Sequence, residues 1–259
     1  MKKYRRPYRI KRKKPIWKKR FFGLSILLLI ISGGIFYLIF FASFFQIKEI
    51  KISGNEKVLT SDIENVAWEV LFSEGESIFI LNPEKIKHQV LFSLPQVSQA
   101  NVKREWPDGL IIEVRERKPA ATFCQNGNCF FIDKEGIIFE PAPENSQLIK
   151  IFTEIGSLQN FSLGKKVLEK NIISSILKIE SKLKEDLKIT PESALLVSDE
   201  RLNVKTFEGW EIYFDPTKDL NWQLTKLKAV LEEEISPEKR KNLDYIELRF
   251  GNLAPYKYR

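Results

Sequence analysis

Histidine occurs once in the 259 residues (His88), methionine once, and cysteine twice (Cys124 and Cys129). So few ligands cannot build a Cys/His zinc set or a two-histidine haem axis. A histidine-dependent triad would rest on His88 alone, which sits between Lys87 and Gln89 and reads as an ordinary exposed side chain. Catalytic motifs are missing as well. There is no G-x-S-x-G and no G-x-G-x-x-G, and Gly164-Lys165-Lys166 lacks the upstream glycine of a phosphate loop. Ser-x-x-Lys recurs at Ser162, Ser175 and Ser181, but its companions Ser-Asp-Asn and Lys-Thr-Gly are absent, so it reads as a Lys/Ser-rich helix surface. No spacing of Asp and Glu singles out a general acid–base pair. The expectation is a chain that is not an enzyme, with no catalytic residue, no cofactor and no metal.

Acidic residues are also missing from one end: the first is Glu49. Residues 1–20 hold 12 of the 42 Lys and Arg, which leaves 30 basic against 34 acidic residues beyond them and a net charge of −4 there. Between these regions, Phe21 to Phe45 runs 25 positions without a charge. As a helix that is roughly 37 Å, enough to cross a hydrocarbon core of about 30 Å. A cleaved signal peptide would be shorter and would leave through a small-x-small site, which Phe44-Phe45-Gln46-Ile47 does not offer. An uncleaved transmembrane helix over residues 21–45 is therefore expected.

Cations stay on the cytoplasmic side, so the N-terminus is expected in the cytoplasm and residues 46–259 outside. Trp17 falls where an interfacial aromatic anchors such a helix. The arm, residues 1–20, suits contact with anionic membrane lipids. Tyr4, Tyr8 and Trp17 interleave with its charges, yet no nucleic-acid-binding fold fits in 20 residues, so nucleic acid is not expected as a partner. The apolar run contains no G-x-x-x-G and signals no dimer face.

Residues 46–117 read strand, helix, helix, strand, strand. Phe45, Ile47, Ile50 and Ile52 alternate apolar with a slip at Lys48-Glu49 that suggests a bulge, and Gly54-Asn55 closes the strand. Ser61-Asp62-Ile63-Glu64 has capping-box spacing, before a stripe of Ile63, Val66, Ala67 and Val70. Asn82-Pro83 opens a second helix faced by Ile86, Val90 and Leu94. Ala100, Val102 and Trp106 then alternate toward the core, Trp106-Pro107-Asp108-Gly109 turns, and Leu110, Ile112 and Val114 return. Glu113, Arg115 and Arg117 are expected on the outward face, as a solvated charge row or a docking face.

From Lys118 the pattern changes to short strands near Ala120–Phe123, Phe130–Ile132, Ile137–Phe139, Leu195–Val197, Leu202–Phe207 and Trp210–Phe214. Two helices interrupt them, striped by Leu168, Ile172, Ile176, Ile179 and Leu183, and by Leu220, Leu224, Leu227 and Leu231. Cys124-Gln125-Asn126-Gly127-Asn128-Cys129 reads as a hairpin on a two-residue Asn-Gly turn. Cys124 and Cys129 then face each other across the ladder, within disulfide range in a compartment outside the cytosol. In the last strand, Tyr245 to Phe250, alternation points Ile246, Leu248 and Phe250 to the core and Tyr245, Glu247 and Arg249 outward. That strand is expected to be a sheet edge, followed by a tail (251–259) with Leu253, Tyr256 and Tyr258 as apolar anchors.

A basic arm, one anchor, a β-α-α-β-β unit that resembles a POTRA domain and a final β domain together resemble the FtsQ/DivIB family of bacterial cell-division proteins. Three stretches carry the resemblance: the run from Trp106 through Ala121, the run Ile132-Asp133-Lys134-Glu135-Gly136-Ile137-Ile138-Phe139, and Tyr245 to Phe250. In the last of these the family more often has Asp at Glu247 and Tyr at Phe250. The fold class expected is α+β: a single N-terminal transmembrane helix, a POTRA domain (46–117), then a mixed α+β domain (118–250) ending on an edge strand.

The resemblance implies a non-enzymatic scaffold of the divisome in the cytoplasmic membrane at the division septum. It implies FtsB/DivIC-like and FtsL-like single-span partners, with other divisome components held by the POTRA domain. It also implies docking by strand addition at the last strand, so Tyr245, Glu247, Arg249, Phe250, Leu253 and Tyr256 become the partner-binding residues. Two other classes compete. A membrane-tethered cell-wall enzyme would need the missing nucleophile motif, and a POTRA-bearing translocation component would repeat the module or carry barrel strands, neither of which occurs here.

Overall fold

The computed structural model describes residues 16–41, 43–154 and 162–259. Most of the basic arm, with its lipid contact, lies outside the described residues. The first helix, α1, runs Ile16–Phe41, and its window Phe21–Leu38 is long and apolar enough to cross a membrane. It begins upstream of the expected 21–45 span and stops short of its end. Residues Ser43–Phe45 form a separate 3-10 turn.

The next unit is β1 (Glu49–Ser53), α2 (Thr60–Glu74), α3 (Pro83–Ser93), β2 (Val97–Glu105) and β3 (Gly109–Glu116). This is the order anticipated. The sheet order is β1-β3-β2, with β1 parallel and β2 antiparallel to β3. Ile63, Ala67 and Leu71 of α2 and Ile86 and Val90 of α3 bury against Leu110, Ile112 and Val114. Gly54 ends β1 at φ +84, where an added Cβ would lie 2.1 Å from the Val114 carbonyl oxygen, so only glycine fits.

Four local readings of this unit are corrected. The strand starts at Glu49, not at Phe45, and no bulge is needed. Instead Gln46 bridges Ser77, and the Ile47 side chain is buried. The capping box is not used: Leu59 is the N-cap with no side-chain bond, and Ser61 lies inside the first turn. Asn82, by contrast, does cap α3, accepting from the Glu84 N–H. Trp106 is 57% exposed, not core. Arg117 leaves the outward row and pairs with Asp133 in the following unit, with side chains only 12% and 9% exposed.

Beyond Lys118 a nine-stranded sheet forms. Its first strands are β4 (Ala121–Gln125), β5 (Asn128–Ile132), β6 (Ile138–Pro141) and β7 (Lys150–Thr153). After α4 (Lys170–Asp186) come β8 (Pro191–Ser198), β9 (Arg201–Thr206) and β10 (Glu211–Phe214). After α5 (Leu220–Glu233) come β11 (Leu243–Glu247) and β12 (Tyr256–Tyr258). The strand order is β12-β11-β10-β9-β8-β7-β4-β5-β6.

The stripes expected of α4 and α5 pack into one core with Phe123, Ile151, Trp210 and Phe214. The strand β7 escaped the sequence reading because its four residues carry no alternation; it sits parallel between β4 and β8. Asn126 and Gly127 take positive φ in the β4–β5 turn. Cys124 faces Cys129 in the ladder, and their sulfurs are 2.07 Å apart.

Candidate docking edge

The region singled out in the sequence is built from α5, β10, β11 and β12. Asp219 caps α5 through the N–H groups of Asn221 and Trp222. Gln223 accepts from the Asp215 N–H and donates to the Asp215 carbonyl, both at 2.8 Å, which fixes the helix against the end of β10. One turn on, Lys226 is 7% exposed and points inward. Its ammonium donates to the carbonyls of Leu248 (2.7 Å), Gly251 (2.9 Å) and Leu253 (3.0 Å). The Phe250 carbonyl lies at 3.5 Å, so the loop after β11 is gathered around one cation. Burial pushes this ammonium below the usual lysine range, opposed by the charge of Glu247.

That loop returns the chain along β11. The Leu253 N–H bonds the Phe250 carbonyl at 3.0 Å, Gly251 takes φ +39, and the Glu247 N–H donates to the Pro255 carbonyl at 2.8 Å. The strand β12 then pairs antiparallel with β11, in the register Leu243 to Tyr258, Tyr245 to Lys257 and Ile246 to Tyr256. The edge is therefore β12, and the strand Tyr245 to Phe250 is covered. Main-chain groups alternate sides along a strand. The Pro255 carbonyl and the Arg259 N–H both face β11. The N–H and C=O groups of Tyr256 and Tyr258 consequently face away from the sheet, where another strand could pair.

The predicted residues divide accordingly. Tyr256 lies on the edge strand, its ring 5.6 Å from that of Tyr258 and edge-on to it. Leu253 and Phe250 are exposed beside it, Phe250 at 56%, so the expectation that Phe250 faces the core is overturned. The strand ends at Glu247, and alternation does not continue into the loop. Glu247 is 6% exposed, not outward. It accepts from Arg249 Nε at 2.8 Å and from its terminal nitrogen at 2.6 Å. This bidentate bond raises the Arg249 guanidinium above its usual range. Arg249 also lies over the Phe250 ring at 5.4 Å. Tyr245 is half-buried and stacks on Tyr213 at 4.9 Å, on the sheet face that Arg201 caps at 4.8 Å.

Sequence reasoning missed Lys226 and the strand β12. Lys226 had a signal: it falls on the buried face, three residues after Gln223 and beside Leu227. Among the described residues no group of three or more His, Cys, Asp or Glu could hold a metal.

Residues 45–117 match the family described as POTRA domain, FtsQ-type, and residues 121–249 match that described as Cell division protein FtsQ/DivIB, C-terminal. The chain belongs to the FtsQ/DivIB family. The match stops at Arg249, just before the segment that forms β12. Among its relatives, Cell division protein FtsQ of Streptomyces coelicolor is 22% identical over 133 residues, 51% of this chain and 49% of that protein. Cell division protein DivIB of Clostridium tetani is 25% identical over 215 residues, 81% of this chain and 78% of that protein. Cell division protein FtsQ of Geotalea daltonii is 30% identical over 115 residues, 44% of this chain and 40% of that protein. For several of these relatives the match spans about half of their length or less. By these matches the chain carries an FtsQ-type POTRA unit and an FtsQ/DivIB C-terminal unit.

Proposed function

We propose that the chain is a non-enzymatic scaffold of the divisome. In this reading α1 spans the cytoplasmic membrane with the N-terminus in the cytoplasm, and both folded units lie outside at the division septum. The basic arm contacts anionic lipid on the inner side. The POTRA unit holds further divisome components. The C-terminal unit links FtsB/DivIC-like and FtsL-like single-span proteins by accepting a strand of one of them at β12.

The observation that carries this reading is the construction of that edge. A three-residue strand would fray in isolation, and here Lys226 and the Glu247–Arg249 pair hold the loop that delivers it. Its outer N–H and C=O groups lie beside Tyr256, Tyr258, Leu253 and Phe250, so main-chain pairing supplies affinity and the side chains supply selectivity. The test is co-purification of the full chain from membranes with tagged single-span division proteins. Wild type should retain an FtsB/DivIC-like and an FtsL-like partner, and Tyr258→Pro should lose them while melting like wild type. Retention by the variant would move docking away from β12.

A further inference from the structure

An aromatic cluster with no role in the docking edge lies where the chain leaves α1. Phe44 and Phe45 meet edge-on at 5.1 Å, Phe45 meets Phe79 at 5.0 Å, and Phe79 meets Trp106 at 5.0 Å. Three separate segments supply these rings, and the main chain ties them together. The Ile78 N–H donates to the Phe45 carbonyl, and the Lys48 N–H donates to the Asp108 carbonyl in the β2–β3 turn, both at 2.9 Å. The cluster is thus preorganised, yet it is not core: Phe44, Phe79, Ile80 and Trp106 are all exposed. Nothing in the POTRA fold requires a tryptophan outside the sheet.

We propose that this cluster is a membrane foot, seated in the outer interface of the bilayer that α1 crosses; the inference rests on the reading of α1 as a spanning helix. The occupant follows from covalent continuity. Starting at Phe21, about 20 helical residues fill a hydrocarbon core of about 30 Å, which brings its far boundary near Phe41. The interfacial layer beyond is only about 5–7 Å deep. Phe44 and Phe45 follow Phe41 by three and four residues, so the rings they contact lie within reach of that layer. Tryptophan and its aromatic neighbours favour this layer, because the indole N–H meets water and headgroups while the ring stays in an apolar phase. The carboxylates that flank Trp106 in sequence suit the setting: Asp108 is paired with Lys48 at 3.1 Å and Glu105 with Lys51 at 2.8 Å. Seated this way, the foot fixes the tilt of the POTRA unit on the membrane.

The test uses the full chain in vesicles of phosphatidylcholine and phosphatidylglycerol carrying bromine either near the headgroup or near the chain end. Tryptophan quenching is read for wild type, Trp17→Phe, Trp106→Phe and the double variant. Trp17→Phe should lower quenching, which reports insertion of α1. In that background, Trp106→Phe should remove at least half of the remaining quenching by headgroup-proximal bromine and little of that by deep bromine. An unchanged signal on Trp106→Phe, with normal Trp17 quenching, overturns the foot and leaves the spanning helix intact. Loss of Trp17 quenching, with release of the chain by alkaline carbonate, overturns the spanning reading and the foot with it. Because Trp106 is exposed, the variants should melt like wild type.

Discussion

The Lys226 ammonium lies 2.7 Å from the Leu248 carbonyl oxygen, a contact between the middle of α5 and the residue after β11. Together with the bonds to Gly251 and Leu253 it decides where the chain turns back to form β12. Lys226→Met keeps the volume and apolar stem but leaves these carbonyls without their donor. A loss of about 2 kcal/mol is expected, in the range for stranding buried acceptors. Urea unfolding should show it, and partner affinity should fall at least tenfold through loss of the edge.

The edge itself can be tested with less damage to the fold. Tyr258→Pro removes an outward N–H that has no partner in the sheet, a position where edge strands accept proline. Affinity for the docked strand should fall at least tenfold, whereas Tyr258→Phe should bind within about twofold of wild type. Titration of the full chain against the isolated partner ectodomain reads both.

Arg249→Glu is a less selective probe than its surface position in the sequence suggests. It would set a second carboxylate against the buried Glu247, which Arg249 now neutralises at 2.6 Å. Lower melting temperature as well as lost binding is expected. Arg249→Gln should be milder on both counts, and calorimetry alongside the binding assay separates the two effects.

Arg117 and Asp133 form the charge pair that joins the POTRA unit to the β domain, with Arg117 Nε also donating to the Pro95 carbonyl at 2.9 Å. Asp133 in turn accepts from the N–H groups of Glu135 and Ile137, so its charge orders the β5–β6 turn. Arg117→Met should cost about 3 kcal/mol, because it leaves a largely buried carboxylate without its partner. Limited proteolysis between residues 117 and 121 should quicken in parallel.

Glu116 holds the loop after β1, its carboxylate accepting from the N–H groups of Glu56, Lys57 and Val58 at 2.7–2.8 Å. Burial works to raise its pKa, but these three donors and the nearby Lys57 charge win and hold it below the usual glutamate range. With the folded value depressed, the stabilisation is complete above the unfolded value of about 4.3 and is lost as pH falls below it. Wild type should therefore lose stability below that pH more steeply than Glu116→Gln. Amide exchange at residues 56–58 should be faster in the variant at neutral pH.

The Cys124–Cys129 bond closes a short loop in a hairpin whose register already matches through Ala121 and Ile132. Reduction should lower stability by no more than about 2 kcal/mol, since short loops lose little chain entropy on closure. Urea midpoints with and without reductant measure this, and partner binding should not change.

Much of this molecule was written locally. The apolar run of α1, the cap Asn82, the stripes of α4 and α5, and the Asn126-Gly127 turn depend on neighbours within one or two turns of chain, so periodicity and turn chemistry sufficed. The POTRA order followed from the same signals. The tertiary structure decided what happens between elements far apart in sequence. Alternation along residues 245–250 placed Phe250 inside and Glu247 outside. The strand in fact stops at Glu247, because the chain turns there to bond Lys226, 22 positions upstream of Leu248. Tyr256–Tyr258 is too short to carry a period, and it becomes a strand only because β11 offers it a ladder. Trp106 looked like core by its place in an alternating run, but the ring it meets, Phe79, comes from the connection between α2 and α3, and Phe79 in turn meets Phe45 from before α2. Side-chain period is a property of one strand; edges, ion pairs across units and exposed aromatic clusters are properties of several elements meeting. No single stretch of sequence contains them.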